Sequence, residues 1–141
     1  MRDIDILLVE DNEGDIVLTS EALSSGKVAN KIRVARDGEE ALRLLGEGVL
    51  NNTLPDLILL DINLPKIDGK ELLRIIKSDD NLRRIPVVML TTSSHEKDII
   101  EAYNENANCY ITKPVDYDKF IALVKVIENF WINIVTLPPV K

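Results

Sequence analysis

The chain has 141 residues, 45% of them apolar and 29% charged, with a formal net charge of −7. That length suits one domain with a core of its own, and the acidic balance argues against a nucleic-acid surface. The single cysteine, Cys109, excludes an internal disulfide and fits a reducing cytoplasm, and no stretch approaches the ~20 apolar residues that span a bilayer, so no membrane role is expected.

The first apolar run, Ile6-Leu7-Leu8-Val9, ends on Glu10-Asp11. A helix around 14–24 follows, with Ile16 and Leu23 on one face. Ile32-Arg33-Val34-Ala35 leads to Asp37-Gly38 and to a second helix around 38–46, striped by Ala41, Leu42 and Leu45. The Gly- and Asn-rich stretch from Gly46 to Pro55 predicts a mobile surface loop. Leu57-Ile58-Leu59-Leu60 then runs into Asp61. Beyond it the loop Asn63-Leu64-Pro65-Lys66-Ile67-Asp68-Gly69 turns sharply, with Pro65 setting φ and Gly69 supplying permissive backbone where a helix carrying Leu72, Leu73 and Ile76 starts.

Val87-Val88-Met89-Leu90 ends on Thr91, and Ile99, Ile100 and Tyr103 mark the next helix. Cys109-Tyr110-Ile111-Thr112 runs into Lys113-Pro114, where Pro114 is a candidate cis peptide that would aim the lysine. Phe120, Leu123, Val124, Ile127 and Trp131 recur at helical spacing behind Asp116, a fitting N-cap. Residues 132–141 are too apolar for a solvated tail and too rich in proline for a helix. They predict an extended arm, packed on the domain (residues 1–131) or on a second subunit.

Five β-α alternations with Val-, Ile- and Leu-rich strands predict a doubly wound, five-stranded parallel sheet in a three-layer α/β sandwich. On such sheets ligands bind beyond the carboxyl ends of the strands. Glu10, Asp11, Asp61, Thr91 and Lys113 therefore converge on one cleft. Crowded carboxylates need a cation, and hard oxygen donors without His or Cys suit Mg²⁺. Asp11 and Asp61 offer carboxylates, Glu10 a partner for a coordinated water, and Asn63 its main-chain carbonyl. A carboxylate beside cations can attack phosphorus and form an acyl phosphate, with Lys113 and Thr91 contacting phosphoryl oxygens.

Each element has a plainer alternative. Asp11 reads equally as a helix cap, Thr91-Thr92-Ser93-Ser94 as a capping stretch, Lys113 as a surface lysine, and Tyr110 as strand filler. His95 reads as a solvent-facing residue in a first helical turn. Independent caps have no reason to fall at the ends of all the strands that matter, and the conjunction favours the phosphoryl site.

Over positions 4–131 these residues resemble the receiver domain of two-component response regulators. The resemblance rests on Val9-Glu10-Asp11-Asn12, Leu60-Asp61-Ile62-Asn63-Leu64-Pro65 through Asp68-Gly69, Leu90-Thr91-Thr92-Ser93, and Tyr110-Ile111-Thr112-Lys113-Pro114. It implies a flavodoxin-like strand order, 2-1-3-4-5. It further implies that Asp61 accepts a phosphoryl group from the phosphohistidine of a sensor histidine kinase. Glu10, Asp11, Asp61 and the Asn63 carbonyl would hold Mg²⁺, and Lys113, Thr91 and Thr92 would contact the phosphoryl group. Thr91 and Tyr110 match a coupled switch pair that remodels a protein-interaction face.

Residues 108–116 with the Phe130-Trp131 and Leu137-Pro138-Pro139 segment are similar, more narrowly, to stand-alone regulators paired with bacterial phytochrome kinases. With no output domain expected after residue 141, the readout would be a protein contact, with a partner, the kinase itself or a second copy, and a homodimer through the last helices, the last strand and the arm is expected. On this reading the chain is no enzyme beyond its own phosphorylation and slow self-dephosphorylation. Rival readings are a phosphorelay intermediate handing the group to another histidine, a pseudo-receiver binding module, and an aspartyl phosphatase. The last needs a general acid where Asn63 stands.

Overall fold

In the computed structural model the apolar runs become strands, β1 (Ile4–Val9), β2 (Asn30–Ala35), β3 (Leu57–Asp61), β4 (Val87–Thr91) and β5 (Cys109–Thr112), with helices α1 (Glu13–Ser24), α2 (Gly38–Asn51) and α3 (Gly69–Ser78) between them. The structure describes residues 4–24, 30–91 and 109–113 and positions 116, 118, 119 and 122. The helix expected around Ile99, the side chain of Cys109, Pro114, most of the last helix and the arm at 132–141 lie outside these residues. At the start of that last helix, Lys119 N donates to Asp116 Oδ1 (3.1 Å), as expected of an N-cap.

All pairings are parallel, and the strands lie in the order β2-β1-β3-β4-β5, the doubly wound arrangement expected. From β1 the chain moves outward to β2, then crosses back to β3 on the opposite side. The crevice at this reversal opens between the carboxyl ends of β1 and β3.

Alternation along the strands divides the core in two. Leu7, Val9, Ile58, Leu60, Val87 and Met89 pack with Ala41 and Leu45 of α2 and Leu72, Leu73 and Ile76 of α3. Ile4, Ile6, Leu8, Leu57, Leu59, Val88, Leu90 and Ile111 pack on the other face with Ile16 and Leu23 of α1. Strands apolar on both faces fit only the middle layer of a sandwich.

The loop expected from Gly46 to Pro55 is largely absent. α2 continues to Asn51 and closes on Asn52, which takes the left-handed conformation (φ 57°) while its backbone N–H reaches Gly48 O. Gly46 and Gly48 read as breakers, yet Gly48 lies where the chain folds back, and a Cβ there would sit 3.0 Å from Leu54. Close packing, not a turn, explains that glycine.

Candidate functional site

Three strands deliver the site by parity. Glu10 continues the row Ile4, Ile6, Leu8. Asp61 continues Leu57, Leu59, and Lys113 follows Ile111 by two. All three therefore project toward the α1 side of the sheet. Their backbones are held by extensions of the ladder: Glu10 N donates to Ala35 O (2.9 Å) and Ile62 N to Leu90 O (3.1 Å).

The plainer explanation, that the acids are helix caps, fails on geometry. Asn12 caps α1, its Oδ1 accepting from Asp15 N at 3.0 Å. Asp37 caps α2 through Glu40 N (2.8 Å), and Asp68 caps α3 through Glu71 N (2.9 Å). Glu10, Asp11 and Asp61 are left over, and each offers a carboxylate oxygen within 4.8 Å of the other two. Glu10 and Asp61 are buried, while Asp11 is exposed at the mouth.

Lys113 closes the cluster. Its ammonium lies 2.5 Å from Glu10 Oε1 and donates to Asp15 Oδ2 at 3.0 Å and Asp61 Oδ2 at 3.1 Å, with the side chain only 8% exposed. Two main-chain amides finish the carboxylates: Asn63 N donates to Asp61 Oδ1 (3.1 Å) and Asn12 N to Glu10 Oε2 (3.3 Å). Burial, reinforced by the Asp61 carboxylate alongside, pushes Glu10 up to about 7, against the pull of Lys113 and the Asn12 amide. Burial alone would lower Lys113, but its bonds to Glu10, Asp15 and Asp61 outweigh it and hold the ammonium above the usual lysine value.

The structure thus brings together Glu10, Asp11, Asp61 and Lys113, and sets exposed Asn63 two residues beyond Asp61. Tyr110 lies half-buried against the core cluster of the α2–α3 face. Thr91 ends β4, opposite Thr112 of β5; its side chain, like Thr92, lies outside the described residues.

Three features escaped sequence reasoning. Asp15 enters the cleft from α1, and the available signal was its place one turn before buried Thr19. Lys66, not a glycine, takes the left-handed backbone of the β3–α3 turn (φ 66°) and reaches Asp37 Oδ2 at 3.5 Å. Gly69 does not use permissive backbone at all: a Cβ there would lie 2.1 Å from Asp61 O.

The donor set fits a divalent cation. Among the described residues it is all oxygen, carries three carboxylates within coordinating reach, and contains no softer ligand that would prefer zinc.

The model of the response regulator receiver domain matches residues 6–125. The chain belongs to the receiver domains of response regulators. This receiver is 46% identical to the response regulator Rcp1 of Synechocystis sp. over 94% of its own length and 92% of that protein's. Among solved structures it resembles the phosphorylated cyanobacterial phytochrome response regulator RcpA, at 48% identity and a TM-score of 0.75, covering 98% of the receiver and all of that chain. It is also similar to the Mn²⁺-bound form of Rcp1, at 44% identity and a TM-score of 0.71, over 96% and 99% of the two chains. The receiver is thereby a two-component signalling protein of the family that works by aspartyl phosphorylation. Among its described residues no helix is long and apolar enough to cross a membrane.

Proposed function

We propose that Asp61 is the phosphoacceptor and that the donor is the phosphohistidine of a phytochrome-type sensor kinase. The observation that carries this is the buried Asp61 carboxylate, bonded at once to Lys113 Nζ and set within 4.8 Å of the Glu10 and Asp11 oxygens. In the transfer an Asp61 oxygen attacks phosphorus, the P–N bond to the kinase imidazole breaks, and a P–O bond forms as the imidazole leaves. Lys113 neutralises charge on the phosphoryl oxygens, with the Thr91 hydroxyl and Thr92 as further contacts. Glu10, Asp11, Asp61 and the Asn63 carbonyl are the residues that would hold Mg²⁺, which when bound supplies charge stabilisation to the transferring group.

The Asn63 amide fixes the acceptor's orientation, and its side chain, lacking a transferable proton, fits storage of the phosphoryl group rather than turnover of external esters. The chain catalyses only its own phosphorylation and slow dephosphorylation, in the cytoplasm. The Thr91–Tyr110 pair then shifts the population between two packings of the 91–113 region. Residues 132–141 extend the 1–131 receiver as an arm that joins a homodimer contact with the last helices and strand. The likeness to RcpA, a phytochrome response regulator, supports the phytochrome partner, and Mn²⁺-bound Rcp1 supports the metal.

The test is uptake of one phosphoryl group, read by intact mass, from a small acyl phosphate with Mg²⁺ and from an autophosphorylated phytochrome kinase. Loss of uptake in Asp61→Asn is expected from both donors. Undiminished uptake in that variant would overturn the assignment, and transfer from unrelated histidine kinases alone would overturn the phytochrome pairing.

A further inference from the structure

The Lys113 ammonium has three N–H donors and three carboxylates around it. Two of these, Glu10 and Asp61, belong to the cation's donor set; Asp15 does not. A divalent ion and an ammonium cannot both draw on the same pair of carboxylates without repelling each other. We infer that Asp15 is a positioning residue, the counter-ion that keeps Lys113 in the cleft when a divalent cation takes over Glu10 and Asp61. The inference rests on reading Glu10, Asp11 and Asp61 as the cation set.

The arrangement is specific to Asp15 rather than to acidity at a helix start. Glu13 lies in the same first turn, but it is exposed and its carboxylate pairs with Arg36, outside the cleft. Asp15 is about two-thirds covered, its amide is held by the Asn12 cap, and its carboxylate is aimed at Lys113. Without it, the lysine has no partner of its own among the described residues and competes with the cation for Glu10 and Asp61.

A double-mutant cycle on the full chain reads this directly, with Mn²⁺ affinity followed by electron paramagnetic resonance and no phosphodonor present. Asp15→Asn is expected to weaken Mn²⁺ binding roughly tenfold where Lys113 is intact, and at least threefold less than that in a Lys113→Gln background. Asp15→Glu, which restores a carboxylate, is expected to recover affinity to within about twofold of the parent, and Glu13→Gln to leave it there. Losses equal in both backgrounds, an unaltered affinity in Asp15→Asn, or a Glu13→Gln loss as large as that of Asp15→Asn would overturn the inference. Failure of the parent to bind Mn²⁺ would do the same. Failure of phosphoryl uptake with the cycle intact would overturn the phosphoacceptor assignment alone.

Discussion

Gly69 and Glu10 show how closely single atoms are fitted around the Asp61 carboxylate. The first residue of α3 packs on the Asp61 backbone, where an added Cβ would stand 2.1 Å from Asp61 O and 2.7 Å from Ile62 Cα. Backbone on both sides leaves nothing flexible to yield. Gly69→Ala is therefore expected to cost about 3 kcal/mol in urea denaturation, the upper end for overpacking, and to weaken Mn²⁺ binding by moving Asp61. Glu10 makes a pH-dependent contribution. Its folded value of about 7 lies above the ordinary 4.5, so the native chain keeps a proton that the unfolded chain has released. The stability from that proton is full below pH 4.5 and is lost as pH rises through about 7. In the presence of chelator, Glu10→Gln is expected to flatten this slope and to exceed the parent's stability at pH 8 by on the order of 1–3 kcal/mol. Urea midpoints across pH 4.5 to 8 measure it, and a parent whose stability does not fall over that range would contradict the reading.

At the scale of elements, the β3–α3 turn and the start of α2 form one contact beside the cleft. Lys66 reaches Asp37 from its left-handed position, and Ile67 sits where a side chain on Gly38 would go, its Cβ 2.8 Å from that point. The turn that carries Asn63 is thus braced by a helix otherwise remote from the chemistry. Two substitutions in α2 separate bracing from helix propensity. Gly46 has open space around its Cβ direction, so Gly46→Ala should stabilise the protein by about 0.5–1 kcal/mol. Gly38→Ala makes the same exchange at the helix start but meets Ile67, and the collision, costing about 1–3 kcal/mol, should outweigh any gain. Thermal melts of the two variants are expected to move in opposite directions.

Across the whole molecule, what the sequence showed and what it hid follow from the same physics. Strands apolar on both faces can only be the middle layer of a parallel sandwich, and this made the sheet legible, as Leu57 through Leu60 illustrate. Polar residues standing where those runs stop announced Glu10, Asp61 and Lys113. Asp15 stayed hidden because an acid in a first helical turn is ordinarily a solvated partner of the helix dipole. The end of α2 was misread because Gly48 signals a break in sequence but serves close packing in space. The arm at 132–141 is a prediction about assembly: deleting it should convert a dimer to a monomer in sedimentation analysis. An unchanged mass would remove the arm from the contact.

Because Glu10, Asp61 and Lys113 each prolong an inward row of a different strand, the chemistry depends on counting. One residue inserted into β3 would leave a stretch equally greasy and equally able to pair with its neighbours. Its aspartate, however, would emerge beneath α3 rather than α1, walled off from the ammonium by the sheet itself. Such a protein would receive no signal, and a carboxylate stranded among the apolar side chains of that layer would weaken the fold as well.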